Sequence, residues 1–186
     1  VFTRFDDSTN CGSSPVPCAL SYASDQVLAL NRVAALAGAG QQIAAVNMSL
    51  GGGNISSQAT CDSQNTTNGR KAAIDNLRSI GVAVVAASGN NGFRTSMSAP
   101  GCISSAVSVG SMNDNGTVSS FSNNAPFLSL YAPGSSILSS VPGNAFESKD
   151  GTSMATPHVA GAWAILKQAV PSATVAQCTN SSGLTH

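Results

Sequence analysis

Charged side chains are scarce in this sequence of 186 residues: eight are basic, eight are acidic, and together they make up 9% of the chain. The formal net charge is therefore zero. Binding to a phosphate backbone or to an anionic lipid surface requires clustered lysine and arginine side chains. The composition argues against nucleic acid and against a membrane surface as partners.

Long apolar runs are also absent. The longest one, Gly81 to Ala87, has the length of a strand and falls far short of the roughly 20 residues that a membrane-spanning helix needs. The first residues, Val1 and Phe2, show neither an initiator methionine nor the pattern of a signal peptide. We expect a chain without membrane spans whose true amino terminus lies elsewhere.

Cysteine is present in an odd number, five. Cys11 and Cys18 flank a short segment of Gly, Ser and Pro, while Cys61 and Cys102 lie in two polar segments that we expect to be loops. We predict disulfides Cys11–Cys18 and Cys61–Cys102, which leaves Cys178 unpaired; five reduced thiols are the alternative. Disulfides, and a surface made polar by Ser, Asn and Thr, favour a secreted, extracellular protein.

Helical and strand-like patterns of apolar residues alternate along the chain. Helical spacing predicts helices over 24–38, 70–80 and 152–170. Short apolar runs predict strands over 43–48, 82–87, 106–109, 127–131 and 137–141. A continuously apolar strand that follows a helix, which itself follows another such strand, is typical of a parallel sheet covered on both faces. The predicted fold class is α/β.

A serine stands at the start of the last predicted helix, in Gly151-Thr152-Ser153-Met154-Ala155. Unpaired backbone N–H groups and the positive end of the helix dipole favour negative charge at such a position. Ser153 is therefore a candidate nucleophile. The alternative is that the hydroxyl of Thr152 or Ser153 only caps the helix.

Two further polar segments follow predicted strands. Asn90 comes directly after 82–87, at the carboxyl edge where open α/β sheets bind ligands, so its amide could donate to an oxyanion. Ser49-Leu50-Gly51-Gly52 follows 43–48, and its glycines would let a peptide approach the backbone. An ordinary turn is the alternative for both segments.

Together these segments resemble the subtilisin-like serine proteases. Residues 151–161, GTSMATPHVAG, are similar to the family's active-site serine segment over eleven consecutive positions. Ser49–Gly52 and Asn90 precede it in the family's order, and Ser119–Asn123 is similar to a segment of the proteinase K-like branch. The resemblance extends from about Ser24 to Val170. It implies a three-layer α/β sandwich with a mostly parallel central sheet, whose N-terminal strands are missing from this chain.

The resemblance also implies roles for these residues. Ser153 would attack a peptide carbonyl, and Asn90 would donate to the oxyanion alongside the Ser153 backbone N–H. Three residues would pair with an extended polypeptide substrate: Ser49, Leu50 and Gly51. Three more would form a wall of the pocket for the residue before the scissile bond: Ala87, Ser88 and Gly89.

The remainder of a catalytic triad is missing from the sequence. The two histidines, His158 and His186, both follow Ser153, whereas the family order is Asp, His, Ser. His158 lies about 140° around the same helix from Ser153, too far round to reach its hydroxyl. An α/β-hydrolase order fails because no acidic residue follows Ser153, and a chymotrypsin-like order fails because no histidine precedes it.

We therefore interpret residues 1–186 as a single incomplete peptidase domain, the C-terminal portion of a subtilisin-like catalytic domain. Val1 and Phe2 would end a central strand, and the missing N-terminal part would be a partner of this chain. The parent would be a serine endopeptidase, and the isolated chain would be inactive. The alternative is a catalytically dead relative or fragment that binds extended peptides.

The chemistry requires no cofactor. Calcium is expected at most as a structural ion, as the resemblance implies, with ligands from the loop Asn113-Asp114-Asn115 and from carbonyls near Pro100. The alternative is that Asn-Asp-Asn-Gly forms an ordinary turn.

Overall fold

The structure, a computed structural model, describes residues 2–11 and 16–176. Val1, Cys178 and His186 lie outside the described residues, so the predictions for these three are not addressed. The helices and strands, in chain order, are β1 (Thr3–Phe5), α1 (Ser8–Cys11), β2 (Cys18–Leu20), α2 (Ala23–Gly38), β3 (Ala45–Met48), β4 (Gly52–Ile55), α3 (Gln58–Thr67), α4 (Arg70–Ser79), β5 (Ala83–Ala87), β6 (Met97–Ala99), β7 (Val107–Met112), β8 (Leu130–Pro133), β9 (Ile137–Val141), β10 (Ala145–Lys149) and α5 (Thr152–Ala169).

The predicted α/β class is confirmed by the central sheet. Its four strands lie in the order β3-β5-β7-β8, and every pair is parallel. On one face, Val84 and Ala86 of β5 pack in a cluster with residues of α2 and α4, including Leu30 and Ile74. On the other face, Val85 belongs to a cluster with residues of α5. Both faces of β5 are buried, which explains its uninterrupted apolar sequence.

Helix α5 is the longest helix among the described residues. Trp163 is buried against the sheet, and its Nε1 donates a hydrogen bond to the carbonyl oxygen of Ala44 at 2.8 Å. This bond ties the middle of α5 to the residue before β3. In the described part of the chain, no helix has the length and apolar character needed to cross a membrane.

Among the described residues, three two-stranded antiparallel sheets accompany the central one. β1 pairs with β2, β4 with β6, and β9 with β10. The prediction that Phe2 ends a central strand is wrong, because the strand after it pairs with Cys18–Leu20 and Phe2 itself is exposed. Helix α3 was not predicted, since its polar sequence QATCDSQNTT shows no apolar face.

Both predicted disulfides are present. Cys61, however, lies in α3 rather than in a loop, and it is completely buried, as is Cys102. The Cys61–Cys102 bond joins α3 to the segment that follows β6. It therefore belongs to the apolar cluster under α2 and α4, of which both cysteines are members.

The two disulfides are expected to stabilise the fold unequally. Cys61–Cys102 closes a sequence separation of 41 residues, and Cys11–Cys18 one of 7. On a chain-entropy basis, losing the first costs about 4 kcal/mol of unfolding free energy and losing the second about 2 kcal/mol. Urea unfolding of the full protein carrying Cys61→Ala with Cys102→Ala, or Cys11→Ala with Cys18→Ala, measures both. Equal losses would contradict this ranking.

Candidate active site

The candidate residues meet at the carboxyl edge of the central sheet. Ser49–Gly52 leaves β3 at this edge, and Ser88–Asn90 leaves the neighbouring strand β5. Helix α5 begins against both segments, as the hydrogen bonds below show. Parallel strands end at the same edge, so segments far apart in sequence are brought together.

Ser153 is fixed to the Ser49 segment by reciprocal hydrogen bonds. Its Oγ donates to the carbonyl oxygen of Ser49 at 3.3 Å, and the Ser49 Oγ donates to the carbonyl oxygen of Ser153 at 2.7 Å. The Ser153 carbonyl is free to accept this bond because residue 157, which would donate to it in a regular α-helix, is a proline without an N–H. Pro157 thus leaves free the carbonyl oxygen through which the backbone of Ser153 is anchored.

Asn90 is fixed through its carbonyl oxygen. The Oδ1 atom accepts hydrogen bonds from the backbone N–H and from the Oγ1 of Thr152, both at 2.8 Å. The Thr152 Oγ1 in turn accepts a bond from the N–H of Gly89 at 3.2 Å. These two donors determine the orientation of the amide, so Nδ2 is left as a donor with no hydrogen bond to a described residue.

The helix start carries no side-chain cap. Gly151 is the N-cap residue, and neither Thr152 nor Ser153 caps the helix with its hydroxyl. The first helical N–H, that of Thr152, donates instead to the side chain of Asn90 in the loop after β5. The second N–H, that of Ser153, belongs to the first turn and has no intrahelical acceptor. Two donors, Asn90 Nδ2 and Ser153 N–H, are thus available at the amino-terminal end of α5.

A cleft of about 630 Å³ opens at this point. Six of the eight predicted site residues line it: Leu50, Gly51, Ala87, Gly89, Asn90 and Ser153. Ser49 lies beside it and contacts Ser153 as described. Ser88 does not face it, because the side chain is fully buried and its Oγ donates to the carbonyl oxygen of Asn123 at 2.9 Å.

Asn123 supports the loop that carries Asn90, a role that the sequence did not reveal. It is completely buried, and its Oδ1 accepts from the N–H groups of Asn91 at 2.9 Å and Phe93 at 3.1 Å. Its Nδ2 donates to the carbonyl oxygen of Ser88 at 3.1 Å. One side chain thereby holds three backbone groups around Asn90. A buried asparagine of this kind shows no periodicity in sequence, and the resemblance of Ser119–Asn123 to the proteinase K-like branch assigned no role to its side chain.

No imidazole is hydrogen-bonded to Ser153 in the part of the chain that the structure describes. His158 is exposed, and its Nδ1 lies 2.9 Å from the carbonyl oxygen of Met154. The described residues also hold no group of three or more His, Cys, Asp or Glu side chains that could bind a metal.

The oxygens of the 113–115 loop already accept hydrogen bonds. Asn113 Oδ1 accepts from the hydroxyl of Ser135 at 2.7 Å, and Asn115 Oδ1 accepts from the hydroxyl of Thr117 at 2.6 Å. The carbonyl of Pro100 accepts from the N–H of Ile103. Calcium at this loop stays a prediction.

Comparisons with known proteins place the chain in a family. The model of the subtilase family of peptidases matches residues 16–181. The chain belongs to the subtilase family. Among its relatives, subtilisin BL from Lederbergia lenta is 45% identical over 108 residues, which are 58% of this chain and 40% of that protein. Subtilisin DY from Bacillus licheniformis is 37% identical over 138 residues, 73% of this chain and 46% of that one.

Solved structures agree with this assignment. A cold-adapted subtilisin-like serine proteinase matches with a TM-score of 0.71 and 32% identity, over 86% of this chain and 53% of that one. The subtilisin-like architecture is therefore confirmed. This subtilase chain spans about half the length of the relatives it matches.

Gly89 is expected to tolerate no side chain. Its φ is +108°, and a methyl group there would overlap Asn123 Nδ2 and Ser98 Oγ. Gly89→Ala should cost about 1–3 kcal/mol from backbone strain alone, with more from the overlap. Urea unfolding of the full protein measures the loss. Gly38→Ala, at the end of α2 with nothing within 4 Å, is the matched control and should be nearly neutral. Equal midpoints for the two variants would contradict this account.

Proposed function

We propose that the protein to which this chain belongs is a serine endopeptidase and that Ser153 is its nucleophile. The observation that carries the proposal is the pair of donors beside Ser153: the Asn90 amide, whose Oδ1 is held by Thr152 and whose Nδ2 makes no hydrogen bond to a described residue, and the Ser153 N–H of the first helical turn. An oxyanion between them would be stabilised without reorganisation of either donor.

The reaction would proceed through an acyl-enzyme. The Ser153 Oγ bonds to the peptide carbonyl carbon while its proton passes to an imidazole base, and the carbonyl oxygen becomes the oxyanion. The C–N bond then breaks as the base returns the proton to the leaving amine. Water repeats the sequence on the ester and releases the acid. The substrate is a polypeptide that pairs in extended form with Ser49–Gly51.

The base and its orienting aspartate would come from a part of the parent protein outside these 186 residues. The chain offers no histidine before Ser153, and it spans about half the length of its relatives. A further observation supports this arrangement: β3 pairs with β5 on one side only, and its other edge has no strand partner among the described residues. We infer that the missing part completes the sheet there and that the isolated chain is inactive.

Secretion is part of the proposal. The two disulfides of the structure would persist in an oxidising compartment and would be rare in a cytosolic protein. An extracellular endopeptidase would also suit a chain with few charges and many Ser, Asn and Thr residues.

Peptide binding without hydrolysis is the second candidate. The observation that favours it is the hydrogen bond of Ser153 Oγ to the Ser49 carbonyl, because a hydroxyl paired with a carbonyl is not activated. The same cleft would then hold an extended peptide and release it unchanged. The two candidates differ in whether Ser153 reacts.

A fluorophosphonate probe tests this difference, because only an activated serine forms the covalent phosphonyl ester. The full protein is expected to be labelled at Ser153, as peptide mapping by mass spectrometry would establish, while Ser153→Ala should show no labelling and no hydrolysis of casein. Binding of peptides by an unlabelled, properly folded full protein would support the second candidate.

Asn90→Asp isolates the oxyanion donor. The carboxylate still accepts from Thr152, so the helix start is preserved, but Nδ2 is replaced by an anionic oxygen. We expect kcat to fall by at least about 10²- to 10³-fold, the loss known for a subtilisin deprived of its oxyanion-hole asparagine. Steady-state kinetics on a fluorogenic peptide measure it. A change confined to KM would refute a transition-state role for Asn90.

Expression of residues 1–186 without the rest of the parent protein tests whether the reactivity of Ser153 depends on that missing part. Chain 1–186 expressed alone should not react with the probe, and co-expression with the preceding part of the parent protein should restore labelling at Ser153. Intact mass under denaturing conditions reports whether one or two polypeptides are present in a purified sample. Labelling of the lone chain would show that no external histidine is needed.

A further inference from the structure

A second cavity adjoins the active-site cleft. It has a volume of about 440 Å³, and Leu50, Gly51 and Gly52 line both spaces. Its far side is formed by Gln26 of α2 and by Arg70, the first residue of α4. Apolar and uncharged residues complete the lining: Phe2, Ala19, Leu20, Ser21, Ser49 and Ala99. Arg70 is thus the one charged side chain among the described residues around this cavity.

The guanidinium of Arg70 is held in place by a buried glutamine. Arg70 Nη1 donates to Gln26 Oε1 at 3.2 Å, and Gln26 Nε2 donates to the carbonyl oxygen of Ser21 at 3.2 Å. Gln26 is only 8% exposed, so the glutamine that links these two bonds is buried. An arginine fixed in this way is already oriented before any ligand arrives, which reduces the entropy lost on binding.

No ion pair among the described residues neutralises the charge of Arg70. The ion pairs of the described residues join Arg4 to Asp6, Lys71 to Asp75 and Lys149 to Glu147, and none includes Arg70. Its Nε is buried without a hydrogen-bond partner. Burial lowers the pKa of Arg70, since the charged form loses hydration and gains no counter-charge. An unpaired, partly buried cation is costly, and a carboxylate in the cavity would relieve that cost.

An extended substrate would bring its side chains to both cavities. Side chains alternate along a strand at about 3.3 Å per residue, so every second side chain points the same way. Consider a peptide that pairs with the Ser49–Gly52 segment and places the residue before the scissile bond in the cleft. A side chain located two to four residues before that bond would then reach the neighbouring cavity. The neutral polar and apolar lining would accommodate the methylene groups of that side chain and leave its end beside Arg70.

We propose that Arg70 is a specificity-determining residue that selects peptide substrates carrying Glu or Asp two to four residues before the cleaved bond. The proposal rests on the proposed endopeptidase function and adds the chemistry of one subsite. It assigns to Arg70 no part in the bond-breaking steps.

Matched peptides test the preference in the full protein. Fluorogenic peptides differing only in Glu or Gln at each of the positions two to four residues before the bond are compared by kcat/KM. At one of these positions we expect the Glu peptide to be preferred by about ten- to a hundredfold, which is what a fully formed hydrogen bond to a charged group is worth. The preference should shrink as the salt concentration rises.

Two variants and one control decide whether Arg70 is the cause. Arg70→Leu should bring the Glu/Gln ratio to about one, and Arg70→Glu should make a Lys peptide better than the Glu peptide. Lys71→Leu removes a neighbouring cation of α4 that pairs with Asp75 outside the cavity, so it should keep the wild-type ratio. Circular dichroism checks that each variant is folded. The ratio of kcat/KM for the Glu and Gln peptides does not depend on the concentration of folded enzyme, so partial loss of stability does not change it.

A binding measurement separates failure of this inference from failure of the proposed function. Ser153→Ala removes the reacting hydroxyl, and fluorescence anisotropy then compares its affinity for uncleaved Glu and Gln peptides. Tighter binding of the Glu peptide, lost in Ser153→Ala with Arg70→Leu, would support the subsite even if the wild-type protein cleaved nothing. Equal kcat/KM values and equal affinities, or a preference that survives Arg70→Leu, would overturn it.

Discussion

The start of helix α5 depends on hydrogen bonds that its own sequence does not provide. Gly151 offers no capping side chain, so the first helical N–H is satisfied by the side chain of Asn90 from the loop after β5. A second link comes from Ser49 after β3, whose hydroxyl donates to the Ser153 carbonyl. Because Pro157 leaves that carbonyl without an intrahelical donor, the link costs the helix no bond. The first turn of α5, with Ser153, is thereby held by the segments that follow two neighbouring strands.

This arrangement joins the chemistry of the site to its architecture. The Asn90 amide that would stabilise an oxyanion also holds the start of α5. Its carbonyl oxygen accepts from Thr152, and its nitrogen, which makes no hydrogen bond to a described residue, would donate to the oxyanion. Such preorganisation requires a rigid loop, and Asn123 supplies it by bonding three backbone groups around Asn90 from a fully buried position. The fit leaves no room at Gly89 for any side chain.

Sequence reasoning succeeded where one strong local pattern determines the structure. The uninterrupted run that forms β5 predicted a sheet covered on both faces, and the spacing in α2 and α4 predicted helices whose apolar sides cover it. It failed where structure depends on distant partners. The Cys61–Cys102 disulfide was predicted, but helix α3 was not, because its polar sequence shows no apolar periodicity and its contact with Ser104, which donates to Asp62, cannot be seen in sequence. Phe2 was assigned to the central sheet because a short apolar segment does not show which strand it will join.

The candidate site shows the same division. Ser153, Asn90 and the Ser49–Gly51 segment were singled out because they follow strands or begin a helix, and the parallel sheet brings such positions to one edge. Residues that act through them are harder to recognise: Thr152, Asn123 and Pro157 matter only for the bonds they make or omit. Arg70 is hardest, since a single arginine at a helix start looks like an ordinary surface charge. Only the structure reveals that it is partly buried, oriented by Gln26, beside the Ser49–Gly52 segment and without an ion pair to any described residue.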